Sequence, residues 1–262
     1  MSAQDQTDWD DSYANAAYIP GADDYPARWQ ADSAALLARF RHDTLRYGPH
    51  PRMEMDLVFP EGDPEGLVVF VHGGYWQRFD RTYWSFLAEG ALARGYAVAF
   101  PSYPLCPEVT IPEITVAVAR AVQLAADAVP GPVRLAGHSA GGHLVARMLC
   151  ADVDLPCRDR IRRALAISPV SDLREMQKTS MAEPLRLDDG VAAGESPVLH
   201  PAPATPFTVW VGADERPVFL DQARWLGQAW ECAVEVEAGK HHFDVIDGLA
   251  DPAHPMCKAL FS

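Results

Sequence analysis

Ser139 lies in a pentapeptide that could turn its hydroxyl into a nucleophile. Residues 137–141 read Gly-His-Ser-Ala-Gly, between an apolar run over 133–136 and a helix-like run over 142–149. A strand, a sharp turn and a helix are the context in which Gly-x-Ser-x-Gly holds a strained serine, because larger residues at the two glycines would collide. The motif therefore predicts a nucleophilic Ser139, and the competing interpretation is a serine in an ordinary tight turn.

A serine hydroxyl needs a base, and that base needs an orienting acid. Asp214 and His242 each follow an apolar run typical of a strand. Because such groups sit just past the carboxyl ends of strands in open α/β sheets, we predict His242 as the base and Asp214 as the acid. Glu215 is the nearest rival for the acid, and His241 competes for the base. Asp214 would otherwise cap a helix, and either histidine would otherwise be a solvated loop residue.

The segment His72-Gly73-Gly74-Tyr75-Trp76 follows another apolar run and is suited to stabilising an oxyanion. Two glycines let the backbone approach a reacting carbonyl and leave N–H groups free to point at it. We predict that the N–H groups of Gly74, Tyr75 and Ala140 donate, while Gly73 makes the turn. An ordinary Gly-Gly turn is the alternative, and the position one strand–helix unit before Ser139 argues against it.

Composition and charge exclude several classes of partner. The chain has 262 residues and a net charge of −14, with 48% hydrophobic residues. An acidic chain disfavours nucleic acid and anionic membranes, and no apolar run reaches the length of a membrane span. The five cysteines are scattered, which predicts neither disulfides nor a zinc knuckle and favours a cytoplasmic location. The polar N-terminus contains no apolar signal core, and the histidines show no metal-ligand spacing, so we expect no metal.

Strand and helix patterns alternate along the chain, which predicts an α/β fold with a mainly parallel, doubly wound sheet and helices on both faces. One domain over 1–262 is expected, with an N-terminal arm and helix over 1–45 and an excursion or lid over 171–203. The predicted strands are 53–59, 67–71, 96–100, 133–136, 164–167, 208–211 and 233–236. The predicted helices are 31–41, 81–94, one beginning near Pro112, 142–149, one through Phe219 and Trp230, and 253–260.

Together these motifs resemble the hormone-sensitive-lipase-like branch of the α/β-hydrolases, in which the order along the chain is serine, acid, histidine. Tyr75 stands where that branch has a third glycine. His-Gly-Gly-Tyr-Trp at 72–76, Gly-His-Ser-Ala-Gly-Gly-His at 137–143 and the segments 103–105 and 242–246 are most similar to the kynurenine formamidase (arylformamidase) group. The resemblance implies the α/β-hydrolase fold over about 45–250. Trp76, His138 and Tyr103 are candidates for the substrate pocket, although His138 is more often structural in such positions.

The resemblance implies a serine hydrolase that cleaves a small ester or an aryl amide such as N-formylkynurenine, with no metal or cofactor. The expected partner is a small molecule, neither nucleic acid nor membrane, and a homodimer is left open. A general short-chain carboxylesterase or thioesterase would use the same triad. A non-catalytic hydrolase-fold binding protein is disfavoured by the intact triad, and a dehalogenase-like relative would need aspartate at position 139.

Overall fold

Eight strands form one sheet in the computed structural model, which describes residues 7–262. Along the sheet their order is β1-β2-β4-β3-β5-β6-β7-β8, and only the pairs β1/β2 and β2/β4 are antiparallel. The strands β1 to β8 are His42–Arg46, Glu54–Val58, Gly66–Val71, Tyr96–Pro101, Val133–His138, Ile161–Ile167, Phe207–Gly212 and Ala233–Glu237. The predicted mainly parallel sheet is therefore confirmed.

Helices cover both faces of this sheet. Within the described residues, helices α1 to α9 are Trp9–Ser12, Tyr25–Leu37, Glu89–Leu92, Ile111–Ala128, Ala140–Leu149, Ala182–Leu185, Asp189–Gly194, Pro217–Ala229 and Pro255–Phe261. Short 3₁₀ turns join several of them. Among residues 7–262, none of the helices combines the length and apolarity needed to span a lipid bilayer.

The hydrophobic core is split by the sheet into two clusters. Successive residues of β3 point to opposite faces, as strand geometry requires, so Val69 and Val68 belong to different clusters. Helices α4, α5 and α8 pack on the Val69 side, whereas α2, α3 and α9 pack on the Val68 side. Because β3 and β5 are buried on both faces, their carboxyl ends are held rigidly at the centre of the molecule.

The observed elements depart from the predicted ones near the N-terminus. The first long helix is Tyr25–Leu37 rather than 31–41, and the unpredicted edge strand β1 follows it. The predicted helix over 81–94 is wrong: 3₁₀ turns at Arg81–Tyr83 and Ser85–Ala88 lead into the short α3. There the Trp84 ring packs 4.8 Å from that of Trp29, so tertiary packing of aromatic side chains overrides the helical pattern.

The segment over 171–203 lies against the body of the domain. Short helical turns build the segment, and its Ser171 and Asp172 N–H groups both donate to the side-chain oxygen of Gln222 in α8. Buried Arg147 of α5 donates to the Glu195 carboxylate at the far end of the segment. These contacts hold both ends of the segment to helices of the sheet's Val69 face.

Candidate active site

Ser139 occupies a sharp turn between β5 and α5. Its backbone has φ 57° and ψ −120°, a region that L-residues rarely adopt. The glycines on either side make the turn fit: a Cβ on Gly137 would lie 2.3 Å from the Gly141 carbonyl oxygen, and one on Gly141 would lie 2.0 Å from that of Val71. The predicted strand, elbow and helix are therefore present, with the serine at the strained position.

The imidazole of His242 is oriented by a carboxylate. Its Nδ1 lies 2.6 Å from Oε2 of Glu215, and both side chains are buried. The other carboxylate oxygen, Oε1, accepts hydrogen bonds from the Ser168 hydroxyl at 2.5 Å and the Gly212 N–H at 2.8 Å. Because a carboxylate only accepts hydrogen bonds, Nδ1 carries the hydrogen, which leaves Nε2 of His242 free to take a proton.

Asp214 is not the partner of His242, which corrects the sequence prediction. Its side chain is exposed, whereas that of Glu215 points inward. The reason lies in the turn after β7, where Ala213 N–H donates to the Glu237 carbonyl and Asp214 N–H donates to the Lys240 carbonyl. These two hydrogen bonds fix the backbone of the turn against β8 and the loop that follows it. In this conformation the side chain of Glu215, and not that of Asp214, reaches the imidazole of His242.

The rival histidine is held elsewhere. His241 Nε2 lies 3.1 Å from the Tyr25 hydroxyl, and its Nδ1 accepts from the backbone N–H of Phe243. Both ring nitrogens are therefore engaged in structural contacts, and the ring that approaches Glu215 is that of His242. The predicted choice of His242 over His241 agrees with this geometry.

Ser139 and His242 line the same cavity, of about 430 Å³. The Gly73-Gly74-Tyr75 loop and His138 line it as well. Other walls come from several parts of the chain that are distant in sequence, and many of the lining residues are aromatic. These lining residues include Tyr13, Asn15, Trp29, Phe79, Trp84, Ser180, Met181 and Phe243.

The loop after β3 touches the serine turn. A Cβ on Gly73 would lie 2.8 Å from the His138 carbonyl oxygen and 2.9 Å from Cβ of Ser139, so only glycine allows this approach. Within the described residues, the N–H groups of Gly74, Tyr75 and Ala140 donate to no protein acceptor. Ala140 opens helix α5, where the unpaired N–H groups and the helix dipole favour negative charge. The loop therefore lies beside the serine turn, and these three N–H groups are not bonded to the backbone of the described residues.

Two residues predicted for the substrate pocket are instead core residues. Trp76 is fully buried, with its ring centre 5.1 Å from that of His143. Tyr103 stacks on His72 at 4.3 Å and donates its hydroxyl to the His72 carbonyl. Neither lines the cavity, and both side chains are fully buried. Burial lowers the pKa of His72 to about 4, so this histidine is neutral.

His138, the third candidate, does line the cavity. Its ring centre lies 4.6 Å from that of His242, and the side chain is 4% exposed. Burial, together with the neighbouring His242, holds the pKa of His138 well below its usual value. A neutral His138 adds no positive charge beside the base, which leaves His242 free to become the charged member of the pair.

One group of residues in the described chain has the composition of a metal site. Single ligand atoms of Cys150, Asp152 and His200 lie within 4.8 Å of one another. However, the guanidinium of Arg147 donates to the Asp152 carboxylate at 2.7 Å and lies 3.1 Å from His200 Nε2. The guanidinium already supplies a permanent positive charge to two of the three side chains, so the group is better explained as an ion-pair network.

Sequence reasoning did not predict the contribution of Tyr13 and Asn15 to the cavity. Both are buried in the N-terminal arm, about 125 residues before the serine in the chain. The available signal was the number of aromatic residues in the first thirty positions, which indicates packing but not a location. Phe243 could have been inferred from its position next to His242.

The family profile and the named relatives that match this chain point to the same family of hydrolases. The profile of a family with the alpha/beta hydrolase fold matches residues 68–199. A kynurenine formamidase from Drosophila melanogaster is 31% identical over 232 residues, which cover 79% of this chain and 76% of that protein. A kynurenine formamidase from Danio rerio is 27% identical, covering 82% of this chain and 78% of the relative.

Solved structures agree on the architecture. A crystal structure from Silicibacter sp. TM1040, provisionally described as a thioesterase, superposes with a TM-score of 0.94 at 50% identity and covers 98% of this chain and 100% of its own. An esterase/lipase from an uncultured bacterium has a TM-score of 0.68 at 19% identity, covering 91% of this chain and 92% of its own. The second likeness concerns the fold alone.

Proposed function

Because this chain belongs to the α/β-hydrolase fold family and is an esterase-type hydrolase, we propose that it cleaves aryl formamides of the N-formylkynurenine type through an acyl-enzyme on Ser139. The observation that carries the proposal is the shared cavity, which Ser139 and the Glu215-bonded His242 both line. In this proposal Ser139 is the nucleophile, His242 the base and Glu215 the acid.

The first half of the reaction forms the acyl-enzyme. Nε2 of His242 takes the hydroxyl proton while Oγ of Ser139 attacks the formyl carbon. The carbonyl oxygen becomes an oxyanion that the N–H groups of Gly74, Tyr75 and Ala140 stabilise. The imidazolium of His242 then returns the proton to the amine nitrogen as the carbon–nitrogen bond breaks, which releases the arylamine.

The second half regenerates the enzyme. His242 takes a proton from water, the resulting hydroxide attacks the formyl ester, and the same N–H groups hold the second oxyanion. Collapse of this intermediate returns the proton to Oγ of Ser139 and releases formate. Glu215 keeps the imidazole oriented throughout.

The cavity walls support an aryl leaving group and a small acyl group. Phe79 and Phe243, which are partly exposed, supply flat apolar surface suited to stacking on an aromatic ring, and the buried rings of Trp29 and Trp84 support them. Tyr75 lines the cavity as well, and we expect its side chain to limit the room for an acyl chain. Both named kynurenine formamidases add weight to this substrate class.

A general short-chain esterase or thioesterase is the second candidate. The provisional thioesterase designation of the 50% identical Silicibacter protein favours it. Ester, thioester and formamide hydrolysis would share every residue of the proposed mechanism and would differ in the leaving group. Steady-state rates on N-formylkynurenine, p-nitrophenyl acetate and acetyl-coenzyme A separate the candidates, and a kcat/KM that is highest for either ester substrate would overturn the formamidase proposal.

The mechanism itself is tested at Ser139. Replacing the hydroxyl by hydrogen in Ser139→Ala removes the nucleophile, so turnover should fall by about 10⁴-fold or more. A fluorophosphonate probe should label the natural protein at Ser139 and leave the variant unlabelled, as mass spectrometry would detect. Normal turnover in Ser139→Ala would exclude the acyl-enzyme, and absence of labelling would instead favour a non-catalytic binding protein.

A further inference from the structure

The N-terminal arm, here residues 8–24, holds the hydroxyl of Tyr75 from two sides. The Tyr75 hydroxyl donates to the backbone carbonyl of Tyr13 at 2.6 Å. The side-chain Nδ2 of Asn15 donates to the same hydroxyl oxygen at 3.3 Å. These contacts bridge about 60 residues of sequence and join the arm to the oxyanion loop at one side chain.

Tyr75 has a backbone that needs such support. Its φ is 51°, in the left-handed region that a bulky side chain rarely adopts, and Trp76 beside it has φ 56°. Conformations of this kind persist only where surrounding contacts determine them, and they cluster at active sites. The same residue carries one of the N–H groups proposed to hold the oxyanion. Fixing its side chain therefore fixes the direction of that N–H group.

The arm itself is firmly placed on the body of the domain. The hydroxyl of Tyr13 lies 3.1 Å from the Glu175 carboxylate and accepts from the Gln222 side chain at 2.9 Å. Asp10 accepts from the backbone N–H of Ser180 at 2.7 Å. Since Tyr13 is 1% exposed, its carbonyl presents the Tyr75 hydroxyl with an acceptor that cannot easily move.

We propose that the Tyr13 carbonyl and the Asn15 amide form a clamp that sets the oxyanion loop, so that these two groups of the arm position part of the catalytic machinery. The inference rests on the proposed Ser139 mechanism, but not on the formamide substrate, because an oxyanion forms during the hydrolysis of any ester or amide. Asn15 and the Tyr75 side chain are positioning groups, since they act through the Tyr75 backbone and not on the reacting atoms.

If the clamp sets the Tyr75 N–H group, its removal should lower kcat. If the contacts only attach the arm to the domain, kcat should not change. Tyr75→Phe removes both hydrogen bonds, and Asn15→Ala removes one of them while leaving the Tyr75 hydroxyl in place. A misdirected N–H weakens the transition state more than substrate binding, so kcat for p-nitrophenyl acetate should fall about 10- to 100-fold in Tyr75→Phe, and less in Asn15→Ala. KM should stay within about twofold in both variants.

A pair of inhibitors separates positioning from structure. An aryl trifluoromethyl ketone forms an oxyanion-bearing adduct with Ser139, so its inhibition constant should rise by nearly the factor lost in kcat. The corresponding aryl methyl ketone, which forms the oxyanion adduct far less readily, should bind as before. Tyr18→Phe is the matched control, because it removes an arm hydroxyl that is bonded to Asp11 and lies outside the clamp. Its kinetics should match those of the natural protein.

The outcomes are distinguishable. Retention of kcat in both clamp variants, or loss of kcat with unchanged affinity for the trifluoromethyl ketone, overturns the clamp. Failure of a fluorophosphonate to label Ser139 in the natural protein overturns the proposed mechanism instead, and the clamp with it. If Tyr75→Phe does not fold, Asn15→Ala decides the question by the same two readouts.

Discussion

The side chains of Asp214 and Glu215 are adjacent in the chain but lie in different environments. Asp214 is in solvent, whereas Glu215 is 7% exposed and bonded to His242, Ser168 and Gly212. A buried carboxylate is tolerated only when hydrogen bonds replace its lost hydration, and Glu215 has three such partners. At the scale of single residues, the satisfied carboxylate is therefore the one suited to orienting the imidazole.

This assignment predicts unequal effects of two similar substitutions. Glu215→Gln removes the charge that holds and stabilises the His242 imidazolium, so kcat should fall about 10²- to 10⁴-fold. Asp214→Asn, the matched control one position earlier, should leave kcat nearly unchanged. Steady-state kinetics on p-nitrophenyl acetate measure both, and a larger loss in Asp214→Asn would contradict the assignment.

The sequence predicts the correct turn for the acid that orients His242, but the predicted residue, Asp214, is the wrong one of the two acids in that turn. The pattern of a strand followed by Gly-Ala-Asp-Glu locates an acid at the carboxyl edge of the sheet. Which carboxylate points inward depends on hydrogen bonds from the turn to Glu237 and Lys240, which lie more than twenty residues away. Trp76 and Tyr103 illustrate the same limit, because an aromatic residue beside a site can face the cavity or the core without any change in local pattern.

At the scale of elements, the serine turn depends on how closely α5 approaches β3. A Cβ added to Gly141 would lie 2.0 Å from the carbonyl oxygen of Val71 and 2.6 Å from the carbonyl oxygen of His72. Both contacts are with backbone, which cannot rotate away as a side chain can. The approach of helix to strand and the placement of the oxyanion loop are therefore set by the same glycine.

Gly141→Ala should force this contact apart. Overpacking against backbone should lower the free energy of unfolding by about 3 kcal/mol or more, as measured by urea denaturation. Gly194→Ala in α7 is the control, because a Cβ there meets nothing within 4 Å. That variant should be neutral or more stable by up to about 1 kcal/mol. Equal stability of the two variants would show that the turn can relax.

The central elements were the most predictable because their local patterns agree with their surroundings. Strands buried on both faces, such as β3 and β4, read as continuous apolar runs in the sequence. The exposed edge strand β1 carries mostly polar residues and is formed by pairing with β2, which no local pattern reveals. The predicted helix over 81–94 is wrong for the opposite reason: the local pattern favours a helix, but the packing of Trp84 against the distant Trp29 outweighs it.

At the scale of the whole molecule, buried neutral histidines make stability depend on pH. Burial lowers the pKa of His143 in α5 from 6.5 to about 3, and its Nε2 lies 2.7 Å from the Glu195 carbonyl. The unfolded chain takes up this proton near pH 6.5, but the folded chain does not until about pH 3. The contribution of neutral His143 to the free energy of unfolding is therefore complete above pH 6.5 and is lost as the pH falls toward 3.

The variant His143→Gln keeps a donor for the Glu195 carbonyl and removes the titration. Between pH 7.5 and pH 5, the natural protein should lose about 2 kcal/mol more unfolding free energy than the variant, since one extra proton is worth about 1.4 kcal/mol per pH unit. Urea denaturation at the two pH values measures the difference. An identical pH dependence in both proteins would mean that His143 has the same pKa in the folded and unfolded chains.

The anchoring of the arm has a consequence for the order in which the molecule is assembled. Tyr13 is among the earliest described residues to leave the ribosome, yet its hydroxyl partners are Glu175 and Gln222, which lie 162 and 209 positions further along the chain. The arm cannot dock until α8 has been synthesised and packed. The cavity around Ser139 therefore lacks the wall that the arm supplies until α8 is in place, and a nascent chain that has already paired β3 with β5 still lacks a complete catalytic chamber.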